Sequence, residues 1–205
     1  MLKIYLTTVP MQGRLDLEQV QYRSASATGA PVATRFPILQ VMRDTLAPGD
    51  TACVLAIRQQ NADTARNYAL LLEELAGQGI SETQVTPLAL PEDQKPRTLV
   101  ELCRAVVDAL PQVGRVYACI TYGTKSIPVV LLAALRCAEA THMELEVGGL
   151  YYGEIRRENG IFCSAQLHDV TVLYQLSELV GGVRDPETAE EVFRQLVWMS
   201  QHGEE

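Results

Sequence analysis

The chain has 205 residues, of which 47% are hydrophobic and 20% are charged, so it can bury a large core and is not disordered. Its net charge is −8, from 17 basic and 25 acidic residues, which argues against binding to DNA or long RNA, because that requires a basic surface. No apolar run approaches the roughly 18–20 residues that cross a bilayer, and the N-terminus does not resemble a secretion signal. We therefore expect a cytoplasmic globular protein without a membrane partner.

The cysteines and histidines do not form a metal-binding pattern. The cysteines occur singly inside apolar segments, without a CxxC pair, and the three histidines do not cluster with them. We expect the cysteines to be small buried side chains in a reducing compartment, and we expect neither a metal site nor a cofactor. The five cysteines are Cys53, Cys103, Cys119, Cys137 and Cys163.

The first half of the chain alternates between predicted strands and helices. Asp63 or Thr64 is expected to cap the second helix, and Gly77 is expected to end it. The predicted elements are a strand over Leu2–Val9, a long polar loop or irregular excursion over residues 10–35, a short helix over Phe36–Leu46, a buried strand over Thr51–Ile57, a helix over Asn61–Ala76, a strand over Gln84–Leu90 and a helix from Pro96 to Leu110.

The most informative segment is Ile-Thr-Tyr-Gly-Thr-Lys-Ser-Ile-Pro at residues 120–128. It follows a predicted strand, Arg115–Ile120, and precedes a predicted helix, Val129–Ala140, that we expect to be buried on nearly every face. Free N–H groups at a helix N-terminus favour an anion, and Lys125 adds a mobile positive charge beside them. The spacing matches neither a P-loop nor a dinucleotide fingerprint. An ordinary strand-to-helix turn with a surface lysine is therefore the alternative.

The pattern changes after Thr141. Two extended runs, Met143–Ile155 and Ile161–Leu167, are joined through residues 156–160, which end in Asn159-Gly160. Asn-Gly is a strong hairpin signal, so these runs predict an antiparallel pair that closes the sheet. Helices are predicted over Asp169–Val180 and Pro186–Gln201. We expect the last helix to cover the sheet with its apolar side. The side chains on that apolar side are Phe193, Leu196, Val197 and Trp198.

Strands that alternate with helices predict an α/β fold, here a Rossmann-like parallel sheet with flanking helices and a C-terminal β-hairpin. In such sheets, ligands bind beyond the carboxyl ends of the strands. Both Thr7-Thr8 and Thr121–Lys125 follow or end a predicted strand on that side. The expected domain covers residues 1–180, and residues 181–205 form a short helical extension.

Three segments together resemble CARF domains, the Rossmann-like sensors attached to CRISPR systems. The Ile-Thr-Tyr-Gly-Thr-Lys motif is followed by Gly149-Leu150-Tyr151-Tyr152-Gly153-Glu154 and then by Asp-Val-Thr-Val-Leu-Tyr-Gln-Leu at residues 169–176. Many CARF proteins of the Csx/Csm type place a similar loop motif, a YYG strand and a DLT…L helix in this order. The resemblance is clearest over residues 115–180, and Cys119 and Tyr122 depart from the usual motif.

The resemblance implies a homodimer whose two-fold axis passes through a pocket for a cyclic oligoadenylate. Lys125 and the backbone around Gly123 and Thr124 would hold phosphate, and the threonines after the first strand would hold phosphate or ribose. Residues 10–35 are expected to fold over the ligand, with Arg35 as a further polar candidate, although solvent exposure is favoured for Arg14 and Arg35. The implied ligand-binding residues are Thr7, Thr8, Gln12, Arg14, Thr121, Tyr122, Gly123, Thr124 and Lys125.

Three functions stay open. The HEPN ribonuclease motif of many CARF proteins is not found, because Arg194 and His202 are separated by seven residues, so the resemblance implies a stand-alone or trimmed sensor domain. It is similar to the ring nucleases, which cleave the cyclic messenger without metal through a ribose 2′-hydroxyl. Lys125 would then stabilise the developing charge, and Thr7 or Thr8 would orient the hydroxyl. The alternatives are a non-catalytic sensor that acts through a separate effector protein and a generic nucleotide-binding α/β protein.

Overall fold

The computed structural model describes residues 1–11, 17–24, 30–183 and 185–202 of the chain. The strands are β1 (Leu2–Thr8), β2 (Val20–Gln21), β3 (Arg23–Ser24), β4 (Ala33–Thr34), β5 (Thr51–Arg58), β6 (Val85–Ala89), β7 (Val113–Cys119), β8 (Glu144–Glu158) and β9 (Ile161–Asp169). The α-helices are α1 (Pro37–Thr45), α2 (Ala62–Gly77), α3 (Pro96–Ala109), α4 (Ile127–Thr141), α5 (Thr171–Gly182) and α6 (Pro186–His202).

Seven strands form one sheet in the order β3-β9-β8-β7-β1-β5-β6, and all neighbours are parallel except β8 and β9. The predicted α/β fold with a mostly parallel, Rossmann-like sheet is therefore confirmed. The predicted hairpin is also confirmed, because Asn159 and Gly160 have φ angles of 52° and 80°, as a two-residue type I′ turn requires. The polar excursion contributes β3 to the edge of this sheet and a small separate ribbon of β2 and β4.

Apolar side chains fill one core on each face of the sheet, because successive residues of a strand point to opposite faces. Along β1, Ile4 and Leu6 lie in the core under α3 and α4, whereas Tyr5 and Val9 lie in the core under α1 and α2. The alternation along β1 fixes the face on which each polar residue at its end lies.

The order of the strands defines one position at which the winding of the chain reverses. From β1 the chain continues to β5 and β6 on one side, and it then returns to β7 and β8 on the other side of β1. In open α/β sheets, ligands bind in the crevice beyond the carboxyl ends of the strands at such a point. The segment that follows β7 there is residues 120–126.

Two predictions about the other helices were wrong. The cap of α2 is Asn61, whose side-chain oxygen accepts the Thr64 N–H at 2.8 Å, rather than Asp63 or Thr64. On α6, Phe193, Val197 and Trp198 are exposed, so this helix does not bury its apolar side against the sheet. The side chain of Leu196 lies outside the described part of the chain. None of the described helices is long and apolar enough to span a membrane.

The expectation that α4 is buried on nearly every face was also wrong. Val129, Ala133, Cys137 and Ala140 form an exposed stripe at helical spacing, and the opposite side of the helix fills the core. Because nearly all residues of α4 are small or apolar, the sequence alone does not indicate which side of the helix faces the core. Exposure of Cys137 and Cys163 likewise contradicts the expectation of five buried cysteines, although Cys119 is buried.

Candidate functional site

The first half of the loop after β7 is anchored to neighbouring elements. The N–H of Ile120 donates to the Tyr151 carbonyl at 2.9 Å, and the Thr121 hydroxyl accepts the Gly153 N–H at 2.7 Å. The Tyr122 hydroxyl donates to the backbone oxygen of Arg35 at 2.7 Å. Burial, with a smaller contribution from nearby Tyr22, raises the pKa of Tyr122 well above its ordinary value. The side chains of Thr121 and Tyr122 therefore hold the loop in place.

The second half of the loop leaves its backbone N–H groups available. Gly123 has φ of 114°, a conformation that favours glycine. No N–H of residues 122–126 donates a hydrogen bond to a described residue. Ser126 occupies the N-cap position of α4, but its side chain does not cap the helix, and the first turn contains no acidic residue. The loop before α4 therefore presents unpaired N–H groups beside the positive end of the helix dipole. In the first turn of α4, the Ile127 N–H donates to the Thr124 carbonyl at 3.0 Å and Pro128 has no N–H.

Gln94 is a residue of this site that sequence reasoning missed. Its side-chain oxygen accepts a hydrogen bond from the Thr124 hydroxyl at 2.8 Å and a second one from the Ser126 hydroxyl. The two hydroxyls also lie 2.9 Å from each other. The available signal was the polar segment after Gln84–Leu90, because a strand predicted there ends at the ligand edge of the sheet. Gln94 thus ties the loop before α3 to the start of α4.

Lys125 is the cation that stays available in this loop. Its side chain is exposed, and it forms no ion pair with a described residue. The nearby basic residues differ: Lys95 pairs with Asp93 at 3.0 Å, and Arg58 lies over the Tyr68 ring. Because Lys125 stands beside unpaired N–H groups, the arrangement favours an anionic group such as phosphate.

The structure does not bring Thr7 and Thr8 to the surface of this loop. Side chains along a strand point alternately to the two faces of the sheet. Thr7 therefore lies on the same face as Tyr5 and Val9. Thr8 lies on the opposite face, with Ile4 and Leu6. Both are buried, and the Thr8 hydroxyl has no hydrogen-bond partner in the described structure. One ligand cannot contact both hydroxyls in this conformation, and their assignment as ligand-binding and catalytic residues stays a prediction.

Arg35 is half-buried rather than solvent-exposed, and its guanidinium is bonded within the chain. Its guanidinium pairs with Glu74 at 2.7 Å and donates to the Leu17 carbonyl at 2.9 Å. The expectation of a solvent-exposed Arg35 was therefore wrong. The predicted ligand residues Gln12 and Arg14 lie outside the described residues, so their assignment stays a prediction.

Cavity shape alone does not identify the site. A cavity of about 870 Å³ lies between β9 and residues 17–21, with Arg23 and Phe162 in its lining. It does not include residues 120–126. Within the described part of the chain, no group of three or more histidine, cysteine or acidic side chains is arranged to hold a metal ion. Unpaired backbone donors and a position beyond the carboxyl ends of the strands distinguish the loop after β7 from this cavity.

Comparison of the chain with protein-family models found no matching family, and comparison with curated proteins found no match.

Proposed function

We propose that this chain binds a cyclic oligoadenylate as a homodimer and acts as a sensor in type III CRISPR antiviral defence. The observation that carries the proposal is the set of unpaired loop N–H groups before α4, beside Lys125, located where the winding of the sheet reverses. The CARF-like order of the three motifs supports a nucleotide ring as the anion. A ring of repeated phosphates also suits a site that two identical subunits share.

The exposed stripe on α4 supports the homodimer. It begins at Val129, one turn after Lys125, and continues through Ala133 and Cys137. An isologous contact along this stripe would cover apolar surface and bring a second Lys125 to the opposite side of the same ring. Ala133→Glu is then expected to convert a dimer to a monomer in light scattering. Ala65→Glu, at an exposed position of α2, is the matched control and should leave the mass unchanged.

Binding is better supported than cleavage. In the ring nuclease hypothesis, Lys125 stabilises charge on phosphate and Thr7 or Thr8 orients the attacking 2′-hydroxyl. The accessible Lys125 fits the first role. The buried threonines do not present their hydroxyls in this conformation. A sensor that acts through a separate effector protein needs only the binding step.

One experiment tests both functions. The full chain is titrated with cyclic tri-, tetra- and hexaadenylate in EDTA by calorimetry, and the same mixtures are chromatographed for linear products. We expect one ring size to bind at micromolar or lower concentration, with one ring for two chains. Lys125→Ala should weaken binding, whereas Lys95→Ala should not, because Lys95 is already paired with Asp93.

The outcomes separate the hypotheses. Linear products that disappear in Lys125→Ala would support a ring nuclease, and binding without products would support the sensor. If no ring binds at micromolar concentration but ATP or another mononucleotide does, the generic nucleotide-binding protein is favoured. Absence of binding to every ring contradicts the proposed function.

A further inference from the structure

An exposed pair of aromatic rings lies on β8 and β9, beside the loop after β7 (residues 120–126). Tyr152 and His168 are cross-strand neighbours, and their rings are nearly parallel, with centroids 6.3 Å apart and an angle of 19° between the planes. Tyr152 is 43% exposed, and 40% of the His168 side chain is exposed. The pair thus leaves aromatic surface exposed to solvent, and we call these two rings the Tyr152 platform.

Backbone contacts fix this platform next to the start of the loop. Tyr152 lies between Tyr151, whose carbonyl accepts the Ile120 N–H, and Gly153, whose N–H donates to Thr121. Alternation along β8 places Tyr152 on the same face as Leu150, which belongs to the core under α3 and α4. The platform therefore lies on the face of the sheet that α4 covers.

A carboxylate lies beside the rings on the same face. Glu154 is two residues after Tyr152, and its two oxygens accept hydrogen bonds from His168 at 3.0 Å and from Arg156 at 3.0 Å. Each carboxylate oxygen has two lone pairs, so Glu154 can accept one more N–H. His168 and Arg156 lower the pKa of Glu154. Glu154 is therefore an acceptor of hydrogen bonds and not a donor near neutral pH.

An aromatic face beside an acceptor and an anion site has the parts of a nucleotide subsite. Bases stack on aromatic side chains with about 1–3 kcal/mol for each base. A carboxylate accepts from an exocyclic amine, which adenine has and hypoxanthine does not. We propose that the Tyr152 platform stacks one adenine of the ligand and that Glu154 accepts its amino group, while Lys125 holds the adjacent phosphate. This inference rests on the proposed function and adds the base contact that selects adenine.

The platform is tested with a ring that reports stacking. A cyclic tetraadenylate in which 8-vinyladenine, a fluorescent base that keeps the 6-amino group, replaces adenine at one position loses fluorescence when that base stacks, and unlabelled rings give the affinity. Wild-type protein should quench the probe. Tyr152→Ala should lower ring affinity by roughly 5- to 100-fold and abolish the quenching, whereas Tyr152→Phe should retain both.

Phe162→Ala is the matched control, because Phe162 is also 43% exposed and lies on the same hairpin but lines a different cavity. It should bind the ring as wild type does. For Glu154, the ring with hypoxanthine bases should bind wild type more weakly than the adenine ring. Glu154→Gln should reduce that difference, and circular dichroism checks that each variant is folded.

The result distinguishes this inference from the proposed function. If wild type and Tyr152→Ala bind the ring equally and quench equally, the platform is wrong and the ligand proposal stands. If Tyr152→Phe loses as much affinity as Tyr152→Ala, stacking is also excluded. If wild type binds no cyclic oligoadenylate, both proposals fail together.

Discussion

Arg35 and Lys125 both lie near the carboxyl edge of the sheet, but their surroundings differ. Arg35 is 26% exposed at its side chain and pairs with Glu74, which is 9% exposed. Glu74 also accepts hydrogen bonds from Thr34 and Gln19. Around Lys125, neither the ammonium group nor the neighbouring backbone N–H groups have partners in the described structure. Paired polar groups hold the excursion on α2, whereas the Lys125 ammonium and the backbone N–H groups beside it have no partner among the described residues.

The largest loss of stability is expected when the hydrogen-bonded Arg35–Glu74 pair is broken. Glu74→Ala removes the acceptor of a half-buried arginine, so we expect the free energy of unfolding to fall by about 3 kcal/mol. Urea denaturation followed by circular dichroism measures it. Glu73→Ala removes an exposed carboxylate from the same helix turn and should change stability by less than about 0.5 kcal/mol. Equal losses in the two variants would contradict a structural role for the Arg35–Glu74 pair.

Removing the Lys125 ammonium group should weaken ligand binding without lowering stability. Lys125→Ala is expected to leave stability within about 0.5 kcal/mol of wild type, because no ion pair with described residues is lost. It should weaken binding of the cyclic oligoadenylate by roughly 10- to 100-fold, the range for a hydrogen bond to a charged group. Calorimetric titration at two salt concentrations measures this, and the affinity of wild type should fall more steeply with salt. A marked fall in melting temperature would show that Lys125 is structural.

A change in the loop backbone should affect both quantities moderately. In Gly123→Ala, the new Cβ would lie 3.1 Å from Cβ of Ile127, and φ of 114° is unfavourable for alanine. We expect a stability loss of about 1–2 kcal/mol and weaker ring binding, because the loop N–H groups shift. Thermal unfolding and titration of one preparation measure the two effects. Gly77→Ala is the control, because a Cβ at Gly77 would meet open space, and it should reduce neither stability nor ring binding. If Gly123→Ala binds the ring as tightly as wild type does, the loop N–H groups do not contact the ligand.

The smallest effect concerns the loop that carries Gln94. Hydrogen bonds from the Lys95 backbone N–H, the Thr98 side chain and the Lys95 ammonium lower the pKa of Asp93 to about 2. The pKa of an aspartate in an unfolded chain is about 3.9. Ionised Asp93 therefore stabilises the fold above that pH, and this contribution to stability is lost as the pH falls through its folded pKa of about 2. Asp93→Asn should therefore melt slightly below wild type at pH 6 and at the same temperature at pH 2. Scanning calorimetry checks this, with Glu92→Gln as control, and an equal difference at both pH values would contradict it.

Local patterns explain why most of the fold could be predicted. The strands β1, β5 and β7 are mostly apolar and rich in strand-forming residues, and Asn159-Gly160 specifies a turn from its own backbone preferences. Errors arose where neighbours that are distant in sequence decide the outcome. The side of α4 that is covered depends on α3 and the sheet, and the two-residue strand β3 forms only because β9 offers it an edge.

The position of the loop after β7 was predictable, but the contacts of its side chains were not. Parallel topology alone places residues 120–126 at the ligand edge. The roles of individual side chains depend on distant partners: Arg35 meets a carboxylate 39 residues away, and Thr124 meets Gln94 from another loop. Thr7 and Thr8 look equivalent in sequence, but the alternation of a strand sends them to opposite cores. The sequence therefore predicts where this loop lies in the sheet before it predicts which groups its side chains contact.

The uncapped start of α4 has an evolutionary consequence. Aspartate at position 126 could accept the Val129 N–H, because Pro128 has no N–H, and such a cap commonly adds about 1 kcal/mol of stability. Under the proposed function, the same carboxylate would repel a bound phosphate. Stability and binding would then make opposite demands on this residue.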